Sequence, residues 1–171
     1  MKKIVLSILV DNTAGVLSRV SGLFSRRGYN IDSLTVGETE NPKFSRMTVV
    51  VSGDDQILDQ IRKQVAKLED VLELKELLPE ESVCRELVLV KVKADVNNRQ
   101  GVIAVADIFR AKVVDVAKDS LMVELTGNPT KLNAFLNLLE GFQILEIVRT
   151  GLTGLSRGAG GSGDISDYIV G

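Results

Sequence analysis

The 171-residue chain reads as an α+β protein, two consecutive βαββαβ sandwiches with antiparallel sheets. Two observations predict this. Hydrophobic spacing passes from alternation to helical periodicity and back in the order β-α-β-β-α-β. After a Pro79-Glu80-Glu81-Ser82 break, the same order begins again.

Residues 3–10 alternate, with Ile4, Leu6, Ile8 and Val10 on one side and Lys3, Val5, Ser7 and Leu9 on the other, as a strand requires. Over 15–27 the period becomes helical. Val16, Leu17, Val20, Leu23 and Phe24 share one face, while Ser18, Arg19, Ser21, Ser25 and Arg26 lie outside it. Gly28 follows the basic last turn Arg26-Arg27, where a left-handed cap and cations opposite the helix dipole are both expected. A strand near 30–37, a turn at Glu38-Thr39-Glu40-Asn41-Pro42 and a strand over 45–51 come next. Asp54-Asp55 opens a second helix that buries Ile57, Leu58, Ile61, Val65 and Leu68, and a strand over 71–78 stops at Pro79.

Beyond the break come a strand over 86–94, a helix over 100–110, and strands over 112–117 and 120–125. A helix starts at Pro129, a residue suited to the first turn, and runs to about 140, before a strand over 142–149. Both halves fit the split-βαβ, ferredoxin-like pattern. The expected organisation is a first domain over 1–78, a linker over 79–84, a second domain over 85–150 and a Gly-rich tail over 151–171. Each half would bury only about 60–65% of its unfolded surface. The strands carry apolar residues on both faces, among them Val5, Leu9, Val49 and Val51. That surplus suggests that the open sheet face or an edge is covered by another domain or subunit.

Composition narrows the function. The chain is 44% hydrophobic and 26% charged, with a formal net charge of −2, so no bulk basicity favours nucleic acid or anionic membrane. No run approaches the ~18 apolar residues of a membrane helix. A single cysteine, Cys84, leaves no internal disulfide, and the expected location is cytoplasmic. The absence of histidine removes Ser-His and Cys-His nucleophile pairs and most zinc sites. Binding is therefore the leading expectation. Glu38, Glu40, Asp54, Asp55, Glu80 and Glu81 read as solvated turns, helix starts and linker rather than acid/base pairs, and no catalytic or metal site is expected. The GxGxxG match at 158–163 leaves too little chain for the helix and return strand of a dinucleotide site.

One loop stands apart. After the first strand, Asp11-Asn12-Thr13-Ala14-Gly15 leads straight into a helix, where unpaired N–H groups and the dipole suit an anion. Gly15 lets a ligand approach the backbone, and Asn12 offers both a donor and an acceptor. No lysine follows the glycine as in a P-loop, so a small carboxylate is favoured over a phosphate. A second amide, Asn30, follows Gly28-Tyr29 at the far side of the helix. An isolated asparagine after a strand is more often a turn or cap residue, and two beside well-placed glycines do not by themselves settle the matter. Asp95 to Gly101 echoes the first loop but lacks a second asparagine across its helix, so no ligand is expected there.

The stretches GLFSRRGYNIDSLTVG (22–37), FSRMT (44–48), RTG (149–151) and LSRG (155–158) resemble the small, regulatory subunit of acetolactate synthase. The resemblance spans residues 1–158. It implies an N-terminal ACT domain, a module that binds free amino acids, followed by a C-terminal ferredoxin-like domain. It further implies a homodimer through the ACT domains. Asn12, Ala14, Gly15, Val16 and Leu17 of one protomer would hold valine together with Asn30 and Ile31, and with Thr35 or Val36, of the other. Some ACT domains carry a histidine two positions before the asparagine, where this chain has Val10. The implied partner is a catalytic large subunit bearing thiamine diphosphate, Mg²⁺ and FAD. The present chain, without cofactors of its own, would activate that enzyme and confer feedback inhibition by valine in branched-chain amino-acid synthesis. The alternative is an ACT-type sensor for a different biosynthetic enzyme or for transcription.

Overall fold

The computed structural model describes residues 1–159. The chain divides into two compact units, one formed by residues 1–84 together with the segment from Leu152 onward, the other by Arg85–Gly151.

In the first unit the order is β1 (Lys2–Asp11), α1 (Val16–Arg27), β2 (Asn30–Glu38), β3 (Phe44–Gly53), α2 (Asp55–Ala66) and β4 (Val71–Glu76). The four strands form an antiparallel sheet in the order β2-β3-β1-β4. The alternation in β1 works as read. Ile4, Leu6, Ile8 and Val10 join Met47, Val49 and Val51 of β3 in a core closed by Val20, Leu23 and Phe24 of α1 and by Leu58, Ile61 and Val65 of α2. Gly28 ends α1 in the left-handed conformation, at φ 66°, beside the basic last turn. The Asp54 carboxylate caps α2 by accepting from the Ile57 N–H at 2.8 Å. Two residues read as apolar helix-face positions, Leu17 and Ile57, are instead exposed, because each lies at the margin of its helix stripe.

The opposite face of this sheet carries Leu9 and Phe44, which pack with Leu72, and the buried polar residues Ser7, Thr48 and Ser52. The cover there comes from the chain itself. The Leu152 N–H donates to Ser33 Oγ of β2 at 3.4 Å, the Gly154 N–H to Thr48 Oγ1 of β3 at 3.3 Å, and Lys75 Nζ of β4 to Ser156 Oγ at 3.5 Å. Residues 152–156 therefore cross the sheet from one edge strand to the other. The Thr48 and Ser33 hydroxyls thus satisfy backbone donors that an apolar side chain would leave unpaired, while Ser7 accepts from the Arg46 guanidinium and the Ser52 hydroxyl donates to Asp32. The stretch expected as the start of a Gly-rich tail is thus a strap with its own strand, β9 (Thr153–Ser156), paired to β5. The expected linker is likewise shorter, since Ser82 already opens β5 (Ser82–Lys93).

The second unit contains β5 from Arg85 onward, α3 (Arg99–Ile108), β6 (Lys112–Val116), β7 (Ser120–Gly127), α4 (Pro129–Leu138), a 3₁₀ turn at Leu139–Gly141 and β8 (Ile144–Arg149). Its antiparallel sheet runs β6-β7-β5-β8. Val88, Val90 and Val92 meet Val123 and Leu125 beneath Val102, Ala106, Leu132 and Phe135. Pro129 stands at the start of α4, where Asn128 caps the helix by accepting from the Lys131 N–H at 2.9 Å. Arg149 grips the nearly buried Glu86 carboxylate through two bonds of 2.7 and 3.1 Å. That fork, with burial opposing it and the opposite charge assisting, holds the Arg149 guanidinium above its ordinary range.

Candidate functional site

The loop between β1 and α1 is held by backbone and side chain alike. The Asn12 N–H donates to the Lys43 carbonyl at 2.7 Å and the Asp11 N–H to the Asp70 carbonyl at 3.0 Å, so the loop is tied on both flanks. Gly15 adopts φ 83° at the helix entry, a conformation costly for any residue with a Cβ. No side chain caps α1 and no acid lies in its first turn, which leaves the positive end of the helix dipole facing outward.

Arg19 completes the loop from one helical turn further on. It forms a bidentate pair with Asp70 at 2.6 and 3.0 Å, and reaches the Ala14 carbonyl and Thr13 Oγ1, each at 3.4 Å. This hydrogen bonding outweighs the cost of partial burial and holds the Asp70 carboxyl below the usual carboxylate range, with the opposite charge adding to it. The Arg19 guanidinium is correspondingly raised, chiefly by the same hydrogen bond. Neither Arg19 nor Asp70 stands out in the sequence. They are 51 residues apart, and only the antiparallel β1–β4 pairing brings Asp70 beside the loop.

Asn12 donates both amide protons within the chain, to Glu38 Oε1 at 3.1 Å and to the Pro42 carbonyl at 2.9 Å. Glu38, read from sequence as a solvated turn residue, is exposed at the end of β2 and accepts this bond from Asn12. The register explains it: Val10 and Glu38 both pair with Ser45 on β3, from opposite sides.

The other named residues fall into groups. Ala14, Gly15 and Leu17 are exposed around the helix entry, whereas Val16 points into the core with Val20. Val16 thus offers the loop its backbone rather than its side chain. On β2, Ile31 pairs with Val51 and Val36 with Met47, which sets both on the helix-bearing face. Asn30 pairs with Ser52 and Thr35 with Thr48, on the face crossed by residues 152–156. Asn30 donates to Asp32 Oδ1 at 2.9 Å, and Asp32 is in turn bonded by the Ser52 hydroxyl. Asn12 and Asn30 stand at opposite ends of the 12-residue α1, about 18 Å of helix apart. Within one chain they do not meet.

The loop echo in the second unit is closed upon itself. Asp95 accepts from the N–H groups of Asn97 and Asn98, Asn98 accepts from the Asp95 N–H at 2.7 Å, and Arg99 reaches the carbonyls of Ala117 and Lys118. Among the described residues no group of three or more His, Cys, Asp or Glu side chains is placed to hold a metal ion, and no helix is long and apolar enough to cross a membrane. The GxGxxG match lies largely outside the described residues.

Two family models match the chain. A model described as the AHAS small subunit-like ACT domain covers residues 6–73, and one described as the small subunit of acetolactate synthase covers 85–158. The acetolactate synthase small subunit of Mycolicibacterium smegmatis is 52% identical over 158 residues, which span 92% of this chain and 93% of that protein. The chain belongs to the acetolactate synthase small-subunit family. The Haemophilus influenzae small subunit is 48% identical over 155 residues, covering 90% and 95% of the two chains. Among solved structures, the acetolactate synthase small subunit from Thermotoga maritima superposes with a TM-score of 0.84 at 42% identity, over 92% of this chain and 98% of that one. Membership makes this a regulatory-type subunit with an ACT domain in its first half.

Proposed function

We propose that the chain activates the large, catalytic subunit of acetolactate synthase and makes it sensitive to valine, bound where two copies of the ACT domain meet. The observation that carries this reading is the layout of α1. Its open N-terminus and Asn12 lie at one end, Asn30 at the other, and β2 is an edge strand without a neighbour on its outer side within the described residues. An unpaired edge invites pairing with a second copy. A two-fold arrangement about β2 sets the Asn12 end of one copy against the Asn30 end of the next.

In such a site the valine carboxylate sits at the α1 N-terminus, where free N–H groups and the dipole stabilise it. The exposed Leu17 and Val36 and the half-buried Ile31 supply apolar surface for the isopropyl group. One methylene more or less in an apolar pocket changes binding by only ~1–3 kcal/mol, so isoleucine and leucine compete with valine. Because the site is shared, ligand binding biases how the two copies are arranged, and a bound enzyme can feel that bias. Thiamine diphosphate, Mg²⁺ and FAD belong to the large subunit in this reading, and the present chain performs no chemistry alone.

The test is a pyruvate-condensation assay with this chain alone, with the large subunit alone, with the two together, and with valine added to the pair. Stimulation by the chain and loss of that stimulated activity with valine are expected. Condensation by this chain alone, or stimulation that valine leaves untouched, would refute the reading.

A further inference from the structure

Asn12 has two amide protons and one amide oxygen, and its surroundings decide which end a ligand meets. Both neighbours, the Glu38 carboxylate and the Pro42 carbonyl, are pure acceptors. A flipped amide would set its oxygen against two oxygens and forfeit both bonds, so the orientation follows from chemistry as well as from distance. The oxygen accepts no hydrogen bond within the described residues, and it is the only part of the amide left to offer. Asn30 repeats the device in a weaker form. Asp32 takes one of its two amide protons at 2.9 Å and leaves the other uncommitted.

We propose that Glu38 is a positioning residue that presents the Asn12 oxygen as an ammonium acceptor, so that the site admits 2-amino acids and rejects the matching 2-oxo acids. This rests on the amino-acid-sensing reading above. An ammonium donates to an amide oxygen in a charge-assisted bond. A 2-oxo group has only an acceptor to bring, and opposing it to the amide oxygen sets two acceptors against each other with no proton between them. The carboxylate and the isopropyl group are common to both ligands, so discrimination falls to this one contact. The consequence is regulatory: a subunit built this way responds to the aminated end product and ignores a 2-oxo acid of the same carbon skeleton.

The test compares valine with 3-methyl-2-oxobutanoate by calorimetry on the full-length chain, as wild type, Glu38→Ala and Glu38→Gln. Wild type should favour valine by roughly 100-fold or more, as expected where a site must hydrogen-bond its ligand. In Glu38→Ala the amide keeps one of its two anchors. Valine should weaken about 10-fold, the equivalent of one hydrogen bond, and the preference should fall at least about 5-fold. Glu38→Gln retains an acceptor oxygen for Asn12 and should keep the preference to within about 2-fold. Glu38 is exposed at a strand end, and unchanged thermal unfolding of both variants would separate positioning from fold.

An unchanged preference in Glu38→Ala overturns the inference while leaving amino-acid sensing intact. A Glu38→Gln loss equal to that of Glu38→Ala also overturns it, since bare charge rather than orientation would then be at work. Wild-type protein that binds no branched-chain amino acid overturns the sensing reading and this inference together.

Discussion

Gly15 carries two constraints that a sequence shows only in part. Its φ of 83° disfavours any side chain, and a Cβ built there would lie 3.0 Å from Arg19 Nη1. Gly15→Asp therefore does more than place a negative charge at the carboxylate position. It also draws Arg19 away from Asp70, because the new carboxylate competes for the same guanidinium. We expect valine sensitivity to be lost while stimulation of the large subunit persists, read in the condensation assay. Retained valine inhibition would show that the carboxylate lies elsewhere. Asp70 gives a second residue-level expectation. Its folded carboxyl titrates below the usual value of about 3.9. The Arg19 pair thus adds stability that is full above the unfolded carboxyl pKa and is lost as pH falls through the lower folded one. Asp70→Asn should lower stability near neutrality and flatten its decline on acidification below about pH 4. Parallel acid titrations of both proteins by circular dichroism would check this. Part of the slope should remain, since Asp59, bonded to Lys63 on α2, is also held low.

At the scale of elements, the helices and strands were legible because burial on one side writes a period into the chain, most cleanly in β5 and β7 and least in the edge strands β4, β6 and β8. The positions of Asn12, Gly15 and Asn30 at the two ends of α1 follow from the same period, whereas their assignment to a ligand comes from the family resemblance and not from spacing. What sequence concealed was where chain-distant segments land. Glu38 looked like any acid in a polar turn, and its bond to Asn12 exists only because β3 lies between β1 and β2. Residues 152–156 looked like the start of a loose tail, being short and glycine-bearing with no strong alternation, yet they cross the first sheet. Gly154 is the reason they fit. A Cβ there would stand 2.6 Å from Cys84 Sγ, 3.0 Å from Leu77 Cδ1 and 3.1 Å from the Val83 carbonyl oxygen. The carbonyl belongs to a paired strand and cannot move aside cheaply. Gly154→Ala should therefore destabilise the protein by roughly 1–3 kcal/mol, the usual range for overpacking. It should also speed amide exchange in β9 more than in β4. A wild-type melting temperature and exchange pattern would mean that the strap adapts and contributes little.

For the whole molecule, the decisive question is whether one site draws on two copies. The 12 residues of α1 keep Asn12 and Asn30 at opposite ends of the same chain, a separation no side-chain rotation closes. If each valine site takes Asn12 from one copy and Asn30 from the next, the two substitutions complement each other. Asn12→Ala and Asn30→Ala homodimers should each bind valine weakly, since every site in them has lost one amide. In a mixed dimer one site loses both asparagines, but the other inherits Asn30 from the first variant and Asn12 from the second, and is intact. Equimolar mixing after subunit exchange gives mixed dimers as about half of the population, so about one quarter of all sites should recover wild-type affinity. Calorimetry of the mixture would resolve that tight fraction against a weak background. A site built within a single chain predicts no recovery at any mixing ratio, because every chain present carries one of the two lesions. The same mixture reports on regulation. If one intact site suffices to bias the pair of ACT domains, valine inhibition of the reconstituted enzyme should return in proportion to the mixed dimers. If both sites must fill, binding should return without inhibition, which would place the switch in the concerted rearrangement of the two copies.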